Sequence, residues 1–245
     1  MSSSPTLKVK IDYLAPKDKC PPVLKDVTKE MVLNSGEITW LLGPSGAGKT
    51  TFLRMLGGDR TVEFKGIIEY YYSDRSHYGR DVFKDGKVGL FLPDGSLPPW
   101  PTILDILYLP AKLNKRIKKP KEDEIDKILN KLRLSHDSKA KHPFELSLGM
   151  RYRILIALAF LYKPFFYLID EIFSALDQPT ADLLIYELNK TVQADRSVCL
   201  ITTHDIDRAL SIRGSYYYKD LKTNIIKLVN PSKSDIYDCF QKDYS

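Results

Sequence analysis

Between an apolar run and a helical one the chain carries Gly43, Pro44, Ser45, Gly46, Ala47, Gly48, Lys49 and Thr50, followed by Thr51. The spacing is G-x-x-x-x-G-K-[ST], and each residue type has a chemical reason to be there. Glycines let the backbone turn tightly enough for successive N–H groups to point at one set of phosphate oxygens. A helix starting at the end of the loop adds the partial positive charge of its N-terminus. Lys49 supplies a cation for the β- and γ-phosphates of a nucleotide, and Thr50 a hydroxyl for Mg²⁺. The strand before and the helix after separate this loop from an ordinary glycine-rich turn.

A second constellation is Phe165 to Glu171, an apolar strand that ends in two carboxylates. Asp170 at the strand end can hold Mg²⁺ directly or through water, and Glu171 can polarise an attacking water as general base. An acidic pair after a strand is by itself common turn chemistry; it gains meaning beside a phosphate loop. His204 follows a further apolar strand, within Thr203-His-Asp-Ile-Asp207.

The elements that must position these groups are legible around them. Leu7 to Tyr13 alternates as a strand does, and a turn rich in Pro and Lys follows at Pro16 to Pro22. Val27 to Leu33 and Glu37 to Leu42 bracket the turn signal Asn34-Ser-Gly36, and the second run delivers the chain into the phosphate loop. Thr50 to Leu56 reads as a helix ending near Gly57-Gly58, and Gly66 to Tyr72 and Lys87 to Leu92 as strands. After the Pro- and Gly-rich loop Pro93 to Pro101 the period becomes helical over Thr102 to Leu113, Lys121 to Leu132 and Ser147 to Tyr162. Strand and helix then alternate again, with Phe165 to Asp170, Pro179 to Gln193 and Val198 to Thr202. The expected fold class is α/β with an inserted helical segment.

Composition bounds the rest. The 245 residues are 43% hydrophobic and 28% charged, which fits a globular chain and excludes a disordered or membrane-embedded one. The longest apolar stretch, Ile154 to Tyr162, stops at Lys163 and Pro164, short of the roughly 18–20 residues that cross a bilayer. Cys20, Cys199 and Cys239 lie far apart, forming neither a disulfide framework nor a metal cluster, so a reducing compartment is expected. The first ten residues lack the apolar core of a secretory signal, which gives the expectation of a cytoplasmic protein. Much of the net charge of +6 sits between Lys112 and Lys121. That run reads as a solvated helix end and loop, with attraction to anionic lipid headgroups or nucleic acid as the sharper alternative. Without interleaved aromatics or a recognition motif, no nucleic-acid partner is expected.

From Leu7 to about Arg213 the chain resembles the ATP-binding subunits of ABC transporters. Glu145-Leu-Ser-Leu-Gly-Met-Arg-Tyr-Arg153 is similar to the family's signature, Ser174-Ala-Leu-Asp177 to its D-loop, and His204 to its switch histidine. The resemblance implies a P-loop NTPase (RecA-like) core with an N-terminal antiparallel β subdomain and an inserted α-helical subdomain. The whole chain, 1–245, is then one ATPase domain, with 1–92 and 164–245 forming the β subdomain and core and 93–163 the helical insert. It implies ATP and Mg²⁺ as ligands. Gly43 to Thr51 would hold phosphates, Thr50 and Asp170 the metal, and Lys49, Glu171 and His204 would serve catalysis. Ser147 and Gly149 would face the γ-phosphate bound by a second ATPase subunit. Tyr13 stands where the family places an aromatic that stacks on adenine; strand alternation alone also accounts for it as a half-buried tyrosine. Partners implied are a transmembrane permease docking between about Pro93 and Leu132 and, indirectly, a solute-binding protein. The subunit would then sit peripherally on the inner face of the cell membrane.

A finer resemblance is to importers of the nitrate, sulfonate and taurine group, carried by Pro99-Trp-Pro-Thr-Ile-Leu-Asp105, Gly149-Met-Arg-Tyr-Arg153 and His204-Asp-Ile-Asp207. The chain also departs from the family. Leu148 replaces the first glycine of the signature pair, the switch glutamine is missing near Pro93 or Asp94, Ile172 replaces a proline, and Leu158 an arginine. These departures keep two alternatives open: a catalytically weak, nucleotide-gated regulatory subunit, and a soluble ABC-type ATPase acting on nucleic acid or translation.

Overall fold

The computed structural model describes residues 4–17, 24–25, 30–72, 75–78, 81–92, 97–174, 176–212, 214–220, 226–229 and 235–239. In chain order the strands and helices are β1 (Thr6–Pro16), β2 (Leu24–Lys25), β3 (Met31–Asn34), β4 (Glu37–Leu42), α1 (Lys49–Leu56), β5 (Val62–Tyr72), β6 (Arg75–Tyr78), α2 (Asp81–Lys84) and β7 (Val88–Phe91). They continue with α3 (Ile103–Leu113), α4 (Glu122–Lys131), α5 (Leu148–Tyr162), β8 (Phe166–Asp170), α6 (Gln178–Asp195), β9 (Val198–Thr203), α7 (Ile206–Leu210), β10 (Gly214–Lys219) and β11 (Ile226–Val229).

Two sheets result. The first is antiparallel, in the order β2-β1-β5-β6, with β3 also paired to β1. The second has the order β11-β10-β4-β9-β8-β7 and is parallel except for the β10–β11 pair. A parallel sheet needs cover on both faces, so its strands read as continuous apolar runs. In β8 the period of two divides the run cleanly. Phe166 and Leu168 pack with α1 and β1, while Tyr167 and Ile169 pack with α5 and α6. All four are buried, and Phe166, Leu168 and Ile169 each contribute about 1.5–3 kcal/mol of hydrophobic stabilisation.

The helices between β7 and β8 are delimited by local chemistry. Thr102 caps α3 by accepting from the Asp105 amide, and Ser147 caps α5 by accepting from the Met150 amide. Lys163, in the left-handed region at φ 42°, ends α5, and Pro164 prevents its continuation. Asp177 caps α6, with Pro179 in its first turn.

Several elements lie outside the sequence expectations. β5 begins at Val62, four residues before Gly66, because Val62, Phe64 and Lys65 find partners in Pro16, Leu14 and Tyr13 beyond an irregularity between Ile11 and Tyr13. β6, α2 and α7 have only four or five residues each, too short for a period to show. β10 carries Tyr216, Tyr217 and Tyr218 in succession, all buried, so no alternation marks it. Of the expected strand Val27 to Leu33, residues 27–29 lie outside the described residues, as does the switch-glutamine position at Pro93 and Asp94.

Candidate active site

Three neighbouring strands, β4, β9 and β8, are parallel and deliver their C-terminal ends to one place. The loop after β4 is the phosphate loop, the residue after β8 is Glu171, and the residue after β9 is His204. The ends of adjacent parallel strands are where open α/β sheets bind ligands.

The loop takes the shape its glycines permit. Gly46 and Gly48 sit at φ 80° and 83°, a region that side chains disfavour, and Gly48 forms the N-cap of α1. A Cβ at Gly43 would come within 3.0 Å of the Lys219 carbonyl oxygen, so the loop lies tightly on the end of β10. Gly43, Pro44 and Ala47 are buried, Ser45 and Gly46 are exposed at the turn, and Thr51 is half-buried in the first turn of α1.

Lys49 is only 5% exposed. A buried ammonium needs partners, and this one donates to the Gly43 carbonyl at 2.8 Å and the Pro44 carbonyl at 3.0 Å. It also lies 3.0 Å from Glu171 Oε1. The other oxygen of Glu171, Oε2, is 3.1 Å from His204 Nδ1. If Nδ1 carries the proton that bridges to Glu171, Nε2 is left as the free ring nitrogen.

Asp170 is 2% exposed and satisfied by two hydroxyls. Thr50 Oγ1 donates to Oδ2 at 2.7 Å, and Thr202 Oγ1 to Oδ1 at 2.5 Å. Glu171 is held in the left-handed region at φ 47°, with its amide donating to the Thr202 carbonyl at 3.2 Å. Such a conformation in a non-glycine residue costs on the order of 1–3 kcal/mol and gathers at functional sites. Thr202 therefore registers both carboxylates. Sequence reasoning placed it only as the end of a strand; its position opposite Asp170 across the β8–β9 ladder was the missed signal.

The oxygens of Thr50 and Asp170 fit Mg²⁺. That ion takes one or two protein carboxylates or hydroxyls and completes its shell with phosphate and water, and no all-protein cage is required. Among the described residues no group of three or more His, Cys, Asp or Glu forms such a cage.

Lys49, Thr50, Asp170, Glu171 and His204 are thus brought together. Ser147, Gly149 and Tyr13 are not. The Ser147 hydroxyl is engaged in capping α5, and Gly149 lies in the first turn of that helix. Leu148 beside them is 54% exposed. Tyr13 lines a separate cavity of about 380 Å³ with Lys17, Val62, Glu63, Phe64 and Lys65. Of the other departures, Ile172 is buried beneath the turn after β8, and Leu158 packs against the same core.

A phosphate loop whose strand is separated from the acidic strand by one histidine-bearing strand, with a helical insert between β7 and β8, defines a P-loop NTPase of the ATP-binding cassette fold. The chain belongs to the ABC transporter family, whose sequence profile matches residues 25–174. It is 33% identical over 185 residues to the nitrate import ATP-binding protein of Synechocystis sp., covering 74% of this chain and 26% of that one. It is 32% identical over 207 residues to the aliphatic sulfonates import ATP-binding protein of Bacillus subtilis, covering 84% and 75%. The chain thus spans about a quarter of the first relative's length and three quarters of the second's. The solved dimer of the ATP-binding cassette MJ0796, in a post-hydrolysis state with ADP and Pi, superposes with a TM-score of 0.75 at 24% identity, over 92% of this chain and 99% of that one. Among the described residues no helix is long and apolar enough to cross a membrane.

Proposed function

We propose that the chain is the ATP-binding and ATP-hydrolysing subunit of an ABC importer of a small solute, working in a pair and driving a separate transmembrane permease. The observation that carries this reading is the convergence of Lys49, Asp170, Glu171 and His204 at three adjacent strand ends. The relatives named above are import ATP-binding proteins, which favours an importer, served by a solute-binding protein and seated on the inner face of the membrane. The stretch from Pro93 to Leu132, offered as the permease contact, includes the strongly exposed Trp100 and Leu113.

The chemistry follows from the residues. Phosphate oxygens take over from Glu171 as the partner of the Lys49 ammonium, as the phosphate loop closes its amides on them. Glu171, released from Lys49, accepts the proton of a water that attacks the γ-phosphorus; the bond to the β,γ-bridging oxygen breaks and ADP is the leaving group. Bound through Thr50 and Asp170, Mg²⁺ would offset phosphate charge. His204 as the imidazolium, with Nδ1–H on Glu171, would donate Nε2–H to the γ-phosphate. Tyr13 would stack on the adenine, and Ser147 and Gly149 would complete the site bound by the second subunit.

One observation favours a second reading. Leu148 projects a bulky side chain where the signature would approach a partner's phosphate, which fits a slow or purely nucleotide-gated subunit. Mg²⁺-dependent phosphate release by the purified chain, alone and with its permease, separates the two. Turnover supports the motor; tight ATP binding with no turnover in either state would overturn it.

A further inference from the structure

We propose that Arg208 is a positioning residue for hydrolysis, fastening the turn that carries Glu171 and the start of α6 to the segment that carries His204. The inference rests on the ATPase reading above and adds a residue outside every motif that supports it.

Arg208 lies in α7 and is 7% exposed. Its Nη1 donates to the Phe173 carbonyl at 2.7 Å and its Nη2 to Gln178 Oε1 at 2.8 Å. Nε makes no hydrogen bond but sits 3.5 Å from Asp205 Oδ2, within ion-pair range. The other oxygen of Asp205 accepts the Arg208 amide at 3.0 Å. Asp205 is the residue after His204, so one carboxylate caps α7 and partners the buried cation. The guanidinium therefore joins three stretches of chain: 173, 178 and 205.

A buried ion pair rarely raises stability over a well-packed hydrophobe, because desolvation offsets the attraction. A planar fork does what a hydrophobe cannot, which is to hold several acceptors at fixed angles. One of its acceptors, Phe173, lies in the turn leading away from Glu171, and another, Gln178, opens the helix that the turn leads into. Glu171 is held in the left-handed region at φ 47°, a state that persists only where the surroundings over-determine it. The Thr202 carbonyl holds the Glu171 amide, Ser174 donates to the Glu171 carbonyl from both its amide and its hydroxyl, and Arg208 pins Phe173 two residues on. Without Arg208 the Phe173 carbonyl still accepts from the Leu176 amide at 3.2 Å and the Glu171 amide stays on Thr202, so the turn survives, but residues 173 and 178 lose their tie to α7 behind His204. A displacement of about 1 Å in a catalytic group can cost about a hundredfold in rate.

The test uses the full chain with Arg208→Lys, Arg208→Met and Gln178→Ala, probed with Mg²⁺-ATP. Lysine keeps a charge opposite Asp205 but cannot span both remaining acceptors. For the lysine and methionine variants kcat should fall about 10- to 100-fold with KM within about threefold, and Gln178→Ala should show a smaller fall. A wild-type kcat in Arg208→Lys would overturn the proposal. So would a parallel loss of kcat, nucleotide affinity and melting temperature, which marks a merely structural residue. Should the methionine variant not fold, the lysine variant carries the test. A crystal structure of Arg208→Lys gives a readout independent of turnover: the Glu171 to His204 contact, now 3.1 Å, is expected to open beyond about 4 Å, outside hydrogen-bond range. An unchanged contact would sink the inference. If the wild-type chain releases no phosphate either alone or with its permease, the ATPase reading fails, and the crystal structure still decides whether Arg208 holds the two segments together.

Discussion

Glu171→Gln isolates the role of one charge, because glutamine keeps the shape and one acceptor oxygen of the glutamate. In the wild type, Glu171 Oε1 lies 3.0 Å from Lys49 and Oε2 lies 3.1 Å from His204. The substitution strands no buried charge, since Lys49 keeps the Gly43 and Pro44 carbonyls at 2.8 and 3.0 Å. The Glu171 side chain is a quarter exposed, so the pair it loses is worth about 0.5–1 kcal/mol after solvent screening. That loss falls on a state in which Lys49 must leave Glu171 to meet phosphate, so ATP affinity should rise about two- to fivefold. Removing a general base lowers turnover by about 10²–10⁴-fold, or about 2.7–5.4 kcal/mol of barrier. Titration with a fluorescent ATP analogue and Mg²⁺-dependent phosphate release measure the two effects separately. Turnover within about threefold of the wild type would refute the role of Glu171, and weakened nucleotide binding would refute the competition for Lys49.

Lys49→Met fills the same buried channel without the ammonium, so the fold should persist while ATP affinity falls about 10- to 100-fold, the range for a hydrogen bond to a charged group; unchanged affinity in the titration would refute the phosphate contact. Leu148→Gly should raise phosphate release if Ser147 and Gly149 serve a partner's nucleotide, and its effect on folding should stay within about 1 kcal/mol at this exposed position; no change in rate would clear Leu148 as the obstacle. Asp177→Ala should lower the melting temperature at neutral pH by removing the cap of α6. Hydrogen bonds from the Thr180 side chain and then its amide hold the Asp177 carboxyl below the usual value of 3.8. A depressed folded value means that the stabilisation is complete above 3.8 and is lost as pH falls through the lower folded value. Melting curves of wild type and variant should therefore converge in acid, and a gap that persists there would refute the charged cap.

The strands that end at the site were legible because burial on both faces leaves short apolar runs, and the helices of the insert because Thr102 and Ser147 cap long periodic segments. The phosphate loop was legible because only a few residue types let a backbone wrap phosphate. What could not be read has particular causes. β10 shows no period because its three tyrosines are all inside. Thr202 looked like the last residue of a strand until the register set it opposite Asp170. Arg208 sits in a five-residue helix, and nothing in the sequence separates a buried arginine from the exposed ones that are the rule. Long-range register and burial decide these positions, and neither is a local property of the chain.

The same register says which parts of the site can move. Thr202 donates its hydroxyl to Asp170 and accepts the Glu171 amide at its carbonyl, so both carboxylates are tied to β9 through a single residue. His204 follows two residues later, just past the end of that strand, and Asp205 donates its amide to Thr203 Oγ1. Asp170 and the Glu171 backbone are therefore set on the β9 frame, flanked by paired strands on either side, while the turn beyond Glu171 is tied to the helix after His204 through Arg208. Lys49 is attached differently: its partners are two loop carbonyls and one side of Glu171, all contacts that an incoming anion can replace without breaking a ladder hydrogen bond. In the proposed mechanism nucleotide binding would exchange partners at the Lys49 ammonium without rearranging the sheet, and Glu171 would become available to water through that exchange. On that reading, occupancy of the phosphate loop would be coupled to activation of the base through one side chain, Lys49.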